Sequence, residues 1–235
     1  MARIALVAAL CVLVAGCGDD PEPEQAPEPE QTTGYELPPT RNSVEVEGLM
    51  GTIPERKILA TLEPKLRKFQ RCFFNGAVEV EQIGGHIDFY FRVGLDGRVE
   101  WVYPRGSSIG HRGTERCLLD EAKKARFPEP RGGGAAELGW GFEIESVGGG
   151  RPPVSWDASR VGPALEQGGA ALAECGSGSF EVTAYVAPGG TVLGAGASVD
   201  GIESAEHIDC IVDVVKTWQL PDPGSYPAKV TFQVQ

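Results

Sequence analysis

Residues 86–130, HIDFYFRVGLDGRVEWVYPRGSSIGHRGTERCLLDEAKKARFPEP, decide the fold, because they recur 93 residues later without a gap. His86-Ile87-Asp88-Phe89-Tyr90-Phe91-Arg92-Val93 falls on Ser179-Phe180-Glu181-Val182-Thr183-Ala184-Tyr185-Val186. Gly97 falls on Gly190, Val99 on Val192, Cys117 on Cys210, Asp120 on Asp213 and Lys123 on Lys216. Phe127-Pro128-Glu129-Pro130 falls on Leu220-Pro221-Asp222-Pro223. Upstream the offset is 103, pairing Ile58 with Val161, Leu62 with Leu165, Phe69 with Leu172 and Cys72 with Cys175. Downstream it is 90, pairing Trp140 with Val230 and Phe142 with Phe232. A matched pair of cysteines, a P-x-P turn and a common apolar phase mark an internal duplication, and this settles the architecture before any single element is read.

Each copy reads helix, strand, strand, helix, strand. In the first, Ile58, Leu62, Leu66, Phe69 and Phe73 recur at helical spacing, with Pro64 predicting a break or kink. Ile87, Phe89, Phe91 and Val93 alternate with polar residues as in a half-buried strand. Leu95-Asp96-Gly97 supplies a hairpin turn, and Val99–Tyr103 returns as the next strand. Thr114–Arg126 is the second helix, stopped by Phe127-Pro128-Glu129-Pro130. Leu138, Trp140, Phe142 and Ile144 alternate as the last strand. In the second copy Ile208, Ile211, Val215 and Trp218 form the apolar face of the second helix. The expected class is α+β: two tandem modules, each a small antiparallel sheet with two helices on one face.

The chain has 235 residues and a net charge of −12, which argues against a nucleic-acid partner. The charge is uneven. Residues 18–40 carry seven acids and no base, residues 41–148 are balanced at 16 and 16, and residues 149–235 carry ten acids against four bases. Residues 1–16 read as a secretory leader: Arg3, then an apolar run Ile4–Ala15 too short to span a bilayer. The ending Val14-Ala15-Gly16-Cys17 resembles the bacterial lipobox, which implies lipidation of Cys17 after cleavage, with acyl chains such as palmitate. By resemblance to the enteric sorting rule, Gly18 rather than Asp at the second mature position implies the outer membrane, periplasmic face. Residues 17–42 then hold the lipidated cysteine and a tether. Within it, 18–40 contain six prolines and little that is apolar, so the segment is expected to stay disordered. Alternating Pro and Glu favours an extended spacer reaching up to about 70 Å at 3.1 Å per residue. The modules are assigned to 43–147 and 151–235, with Gly148-Gly149-Gly150 between them.

Of six cysteines, Cys11 leaves with the leader and Cys17 takes lipid. Cys72 and Cys175 lie near the end of each first helix, Cys117 and Cys210 near the start of each second. If both helices share one sheet face, each pair meets, and an oxidising compartment makes Cys72–Cys117 and Cys175–Cys210 disulfides. Free buried thiols are the alternative. A metal site wants close C-x-x-C pairs or spaced histidines, and the sequence has neither.

The string Arg71-Cys72-Phe73-Phe74, Asp96-Gly97-Arg98-Val99, Cys117 and Phe127-Pro128-Glu129-Pro130-Arg131-Gly132-Gly133 resembles the C-terminal domain of the AgmX/PglI gliding-motility proteins, a relative of the TonB C-terminal domain. The resemblance covers 45–147 well and 154–235 more loosely, since Arg71 becomes Glu174. It implies a periplasmic protein–protein interaction domain, binding an envelope protein or cell-wall component by strand addition at a sheet edge. TonB proteins carry a membrane-spanning helix; here the apolar run is a cleaved leader, so a passive adaptor is expected rather than an energy transducer.

The remaining chemistry-bearing residues read as structural. His86, His111 and His207 are expected at surface or cap positions. Ser107-Ser108 lack a nucleophile-elbow context, and Gly132-Gly133-Gly134 lacks the lysine of a phosphate loop. Lys65, Arg67, Lys68 and Arg71 crowd one helix, as a solvated face or as a contact for an acidic partner or lipid headgroup. No catalytic residue, cofactor or metal is assigned. The leading function is a non-catalytic adaptor in gliding or envelope-machine assembly; the alternatives are a scaffold without a ligand and a divergent envelope hydrolase. Each module is expected to fold alone when oxidised. The second should be the weaker, because Gly169, Ala184 and Gly194 stand where the first has Leu66, Phe91 and Trp101.

Overall fold

The computed structural model describes residues 44–47, 51–146 and 151–235, with the backbone alone for 44–47. The leader, Cys17, the Pro/Glu segment and the Gly148–Gly150 run lie outside these residues. In the first half, the helical run divides at Pro64. Helix α1 (Glu55–Leu62) gives way to a 3-10 turn (Glu63–Lys65), and α2 (Leu66–Gly76) follows. A proline inside a helix lacks the N–H for the i−4 bond, and a tighter turn absorbs the fault. Strands β2 (Gly85–Val93) and β3 (Val99–Ser107) form the expected hairpin, then come α3 (Arg112–Lys123) and β4 (Ala136–Ile144). A strand not expected from the sequence, β1 (Val44–Glu47), pairs with β4, so the antiparallel sheet runs β1-β4-β2-β3. Its helix-side face is aromatic: Phe69 stacks on Phe142 at 5.2 Å between centroids, and Phe89, Phe91 and Trp140 are buried around them.

The second half repeats the plan with α4 (Gly162–Glu174), β6 (Phe180–Val186), β7 (Val192–Val199), α5 (Ile208–Lys216) and β8 (Ala228–Val234). Its sheet runs β5-β8-β6-β7. The expectation of a purely antiparallel sheet is corrected here. The added strand β5 (Val154–Trp156) lies parallel to β8. The chain enters this half beside Pro227, where β8 begins, and Val154 N–H donates to Pro227 O at 2.9 Å, so β5 can only run the same way as β8.

The duplication is visible in the backbone. Gly97 and Gly190 both take positive φ, +73° and +88°, in the hairpin turns. The carbonyl of each accepts from the chain leaving the second helix, Phe127 N at 3.0 Å and Leu220 N at 2.9 Å. A side chain at either glycine would drive its Cβ into that same backbone. Disulfides Cys72–Cys117 and Cys175–Cys210 join the two helices of each half, with Cα separations of 5.7 and 5.5 Å. Each closes a long loop, 45 and 35 residues, which restricts the unfolded chain. Non-reducing peptide mapping should recover these two pairings; any bond crossing between halves would contradict the arrangement.

The two halves are pressed together through a face the sequence reading left to solvent. The helix-free face of the second sheet carries Thr183, Tyr185, Gly194, Gly196, Ser198, Lys229 and Thr231, and it packs on the first half at residues 80–85, 107–111 and the start of α3. Gly194 is therefore not a weak core position. A Cβ there would lie 2.8 Å from Val80 Cγ2 and 3.1 Å from Gly110 O. Glycine in a strand interior marks such a close approach. Conversely, Tyr90 and Tyr103 of the first sheet are buried with the second core, and Tyr103 Oη donates to Asp200 O at 3.1 Å. Gly194→Val is expected to lower stability by about 1–3 kcal/mol through overpacking, measurable as a reduced denaturation midpoint. An unchanged midpoint would mean that the halves do not meet at β7.

Candidate functional site

Two cavities adjoin the C-terminal end of β4. The first is a groove of about 420 Å³ between the first helices and the strand, lined by Leu59, Glu63, Leu66, Gln70, Trp140 and Phe142, with Glu143 and Ile144 at its end. Beside it, among the described residues, β4 is paired on both sides over only part of its length. Strand β1 covers Glu137–Trp140, whereas Gly141–Ile144 has β2 on one side and, among the described residues, no strand on the other. Unpaired backbone groups next to an apolar groove are what an incoming extended segment needs.

The second cavity, of about 410 Å³, lies where the halves meet. Glu143, Ile144, Glu145 and Ser146 form one wall, Pro152, Pro153, Ser155 and Trp156 another, and Gln82, Gly84, Tyr185, Lys229 and Thr231 the remainder. Tyr185 and Lys229 sit side by side because they are register partners across β6 and β8. The Tyr185 hydroxyl accepts from Gly84 N–H at 3.3 Å and faces the carbonyls of Gly84 and Gln82 at 3.3 and 3.4 Å. Burial pushes that phenol up to about 12. Lys229 Nζ donates to Gly84 O at 2.8 Å and lies 5.1 Å from the Tyr185 ring centroid. Burial pushes the ammonium down to about 8, with Glu143 acting in the opposite direction. Gln82 is buried, and its Oε1 has no hydrogen-bond partner in the protein.

A third polar cluster ties the halves. Glu115, fully buried on α3, accepts from Ser107 Oγ at 2.7 Å and from Ala197 N–H of β7 at 3.2 Å. Arg112 Nη1 lies 3.7 Å from it. Burial raises the Glu115 carboxyl above its ordinary value. The Arg112 Nε bonds Asp209 of α5 at 2.6 Å, and Arg116 grips the same carboxylate.

The residues singled out from sequence are distributed elsewhere. His111 caps α3: its Nδ1 accepts from Thr114 N–H at 3.2 Å, which leaves the proton on Nε2, 3.3 Å from Glu79 Oε2. His207 closes the 3-10 turn before α5. Ser108 Oγ does meet His86 Nδ1 at 2.7 Å, but it also accepts from His86 N–H at 3.1 Å, so the pair closes a strand end. Neither residue lines the two cavities. The basic run on the first helix divides: Lys68 Nζ is 3.6 Å from Glu121, and Lys124 Nζ is 2.7 Å from the same carboxylate, while Arg67 and Arg71 are exposed. Among the described residues no three His, Cys, Asp or Glu side chains gather as metal ligands would. Sequence reading missed Gln82, Glu115, Tyr185 and Lys229. The alternation of Lys229, Thr231 and Gln233 reads as a solvated face; the small-residue run Gly194-Ala195-Gly196-Ala197 is the signal that something docks there.

The fold and its cavities define an α+β protein of two disulfide-stapled sheet modules. Comparison with family models, with curated proteins and with solved structures found nothing that matches this chain.

Proposed function

We propose that this chain is a non-catalytic lipoprotein adaptor, held by Cys17 on the periplasmic face of the outer membrane, whose tandem modules resemble AgmX/PglI C-terminal domains. It would capture an envelope protein or a cell-wall component by strand addition. The observation that carries this reading is the end of β4, Gly141–Ile144, which among the described residues has no strand on its outer side and lies beside the Leu59–Leu66–Phe142 groove. The two disulfides suit an oxidising compartment, and among the described residues no helix is long and apolar enough to cross a membrane. A photocrosslinking side chain at Glu143 of the full chain should give a discrete adduct in the native envelope, and one at Glu174 on α4 should not. Equal adducts from both sites, or none from Glu143, overturn strand addition at this edge.

A second reading, a scaffold for gliding or secretion machinery without a ligand of its own, is favoured by the packing of β3 against β7. That contact brings together the last strand of each sheet. In either case Cys17→Ala should abolish metabolic labelling by a fatty-acid analogue and release the chain from the membrane fraction. Unchanged labelling would refute lipidation at this residue.

A further inference from the structure

The cleft between the halves gathers one orphaned acceptor, one cation with donors to spare and two exposed carboxylates, and together they fit one kind of ligand. Lys229 Nζ spends one of its three protons on Gly84 O, leaving donors for an anionic oxygen. Gln82, at 8% exposure, lines the cleft, and its Oε1 is without a donor; a buried carbonyl in that state costs free energy until an N–H or O–H reaches it. Glu143 and Glu145 are exposed on the wall formed by the end of β4 and accept protons or attract a cation. A phosphate would satisfy the lysine but bring no cation to offset the two carboxylates. A neutral sugar would satisfy Gln82 and the carboxylates but bring no anionic oxygen to the donors that Lys229 has left. A carboxylate with an ammonium on the adjacent carbon meets all three.

We propose that this cleft, formed by Lys229, Gln82, Glu143 and Glu145, binds a zwitterionic α-amino acid. The carboxylate sits at Lys229, the ammonium turns to Gln82 Oε1 and the β4 carboxylates, and the side chain lies between Trp156 and Pro152-Pro153. The cavity of about 410 Å³ exceeds the volume of one amino acid, so the side chain can be large. This site shares Glu143 and Ile144 with the end of the strand-addition groove but does not rest on that reading.

The test is calorimetric titration of the purified full chain with alanine, glutamate, lysine and phenylalanine. Each is compared with its N-acetyl derivative, which lacks the ammonium, and its carboxamide, which lacks the carboxylate. At least one zwitterion should bind, and both of its derivatives should bind at least about tenfold more weakly, the loss of one hydrogen bond to a charged group. Gln82→Leu should retain the fold, since nothing among the described residues bonds that oxygen, and should weaken the same zwitterion about tenfold. Absence of heat with all four amino acids at 10 mM (roughly 2.7 kcal/mol of binding free energy) overturns the proposal. So does equal binding of the N-acetyl derivative, or unchanged affinity in Gln82→Leu.

Discussion

Glu115→Ala is expected to cost about 3–5 kcal/mol, the range for removing one member of a buried charged set. The carboxylate is fully buried and answers to donors from both halves: Ser107 Oγ at 2.7 Å in its own, Ala197 N–H at 3.2 Å across the junction. Truncation strands both donors and removes the carboxylate that lies 3.7 Å from Arg112 Nη1, which is already short of a partner. Gly196 makes the approach possible, because a Cβ there would fall on the Glu115 carboxylate. Glu115→Gln keeps the shape and the acceptor for Ser107 but points an amide N–H₂ at Ala197 N–H, so an intermediate loss follows. Chemical denaturation of the full chain measures both. A Glu115→Ala loss below about 1 kcal/mol, the range of an ordinary surface change, would show that this cluster does not hold the junction.

The same cluster bears on whether the halves fold separately. Each has its own disulfide and its own buried set, as the duplicated sequence implies. Yet a lone first half would expose Tyr90, Tyr103 and a Glu115 without its Ala197 donor, and a lone second half would expose Tyr185. One cooperative transition for the whole chain is therefore expected, with the isolated fragments 41–148 and 149–235 much less stable than their disulfides alone suggest.

What could be read in advance followed from local chemistry. Gly97 and Gly190 had to be turn residues and Pro64 had to break its helix, because each requirement is set within a few residues of chain; the cysteine pairs, 45 and 35 residues apart, were legible because the duplication puts them at matched places on both helices. Strands β1 and β5 escaped because VEVE and VSW are too short for a period to show, and their pairing depends on where the chain enters each sheet. Gly194 was read as a missing core side chain because alternation gives the face but not what lies against it. The cleft escaped for a related reason. Gln82 and Lys229 are 147 positions apart, and each looks ordinary in its own segment. Only the packing of the second sheet on residues 80–85 brings them to one cavity.

Lys229→Met is expected to remove a pH dependence worth about 2–3 kcal/mol between pH 7 and pH 10. The folded-state ammonium lies at about 8 because it is buried, against an ordinary value of 10.5. Below pH 8 both states are charged, and the folded state bears the full desolvation cost, about 3 kcal/mol for a difference of this size. Between pH 8 and 10.5 the unfolded chain holds a proton that the folded chain has released, so this group's contribution to stability rises with pH. Two groups bear directly on it. Glu143 favours the charged form, and Tyr185, pushed up to about 12, stays neutral throughout the window. Subtracting the variant's stability curve from that of the native chain isolates the lysine from the other titrating groups. A difference that is flat from pH 7 to 10 would mean that Lys229 is solvated when folded. At pH 7 the variant should be the more stable protein, by less than the full desolvation cost because the bond to Gly84 O is lost with the charge. A carboxylate bound at Lys229 favours the charged ammonium, so a saturating zwitterion should reduce the slope of the native curve between pH 8 and 10.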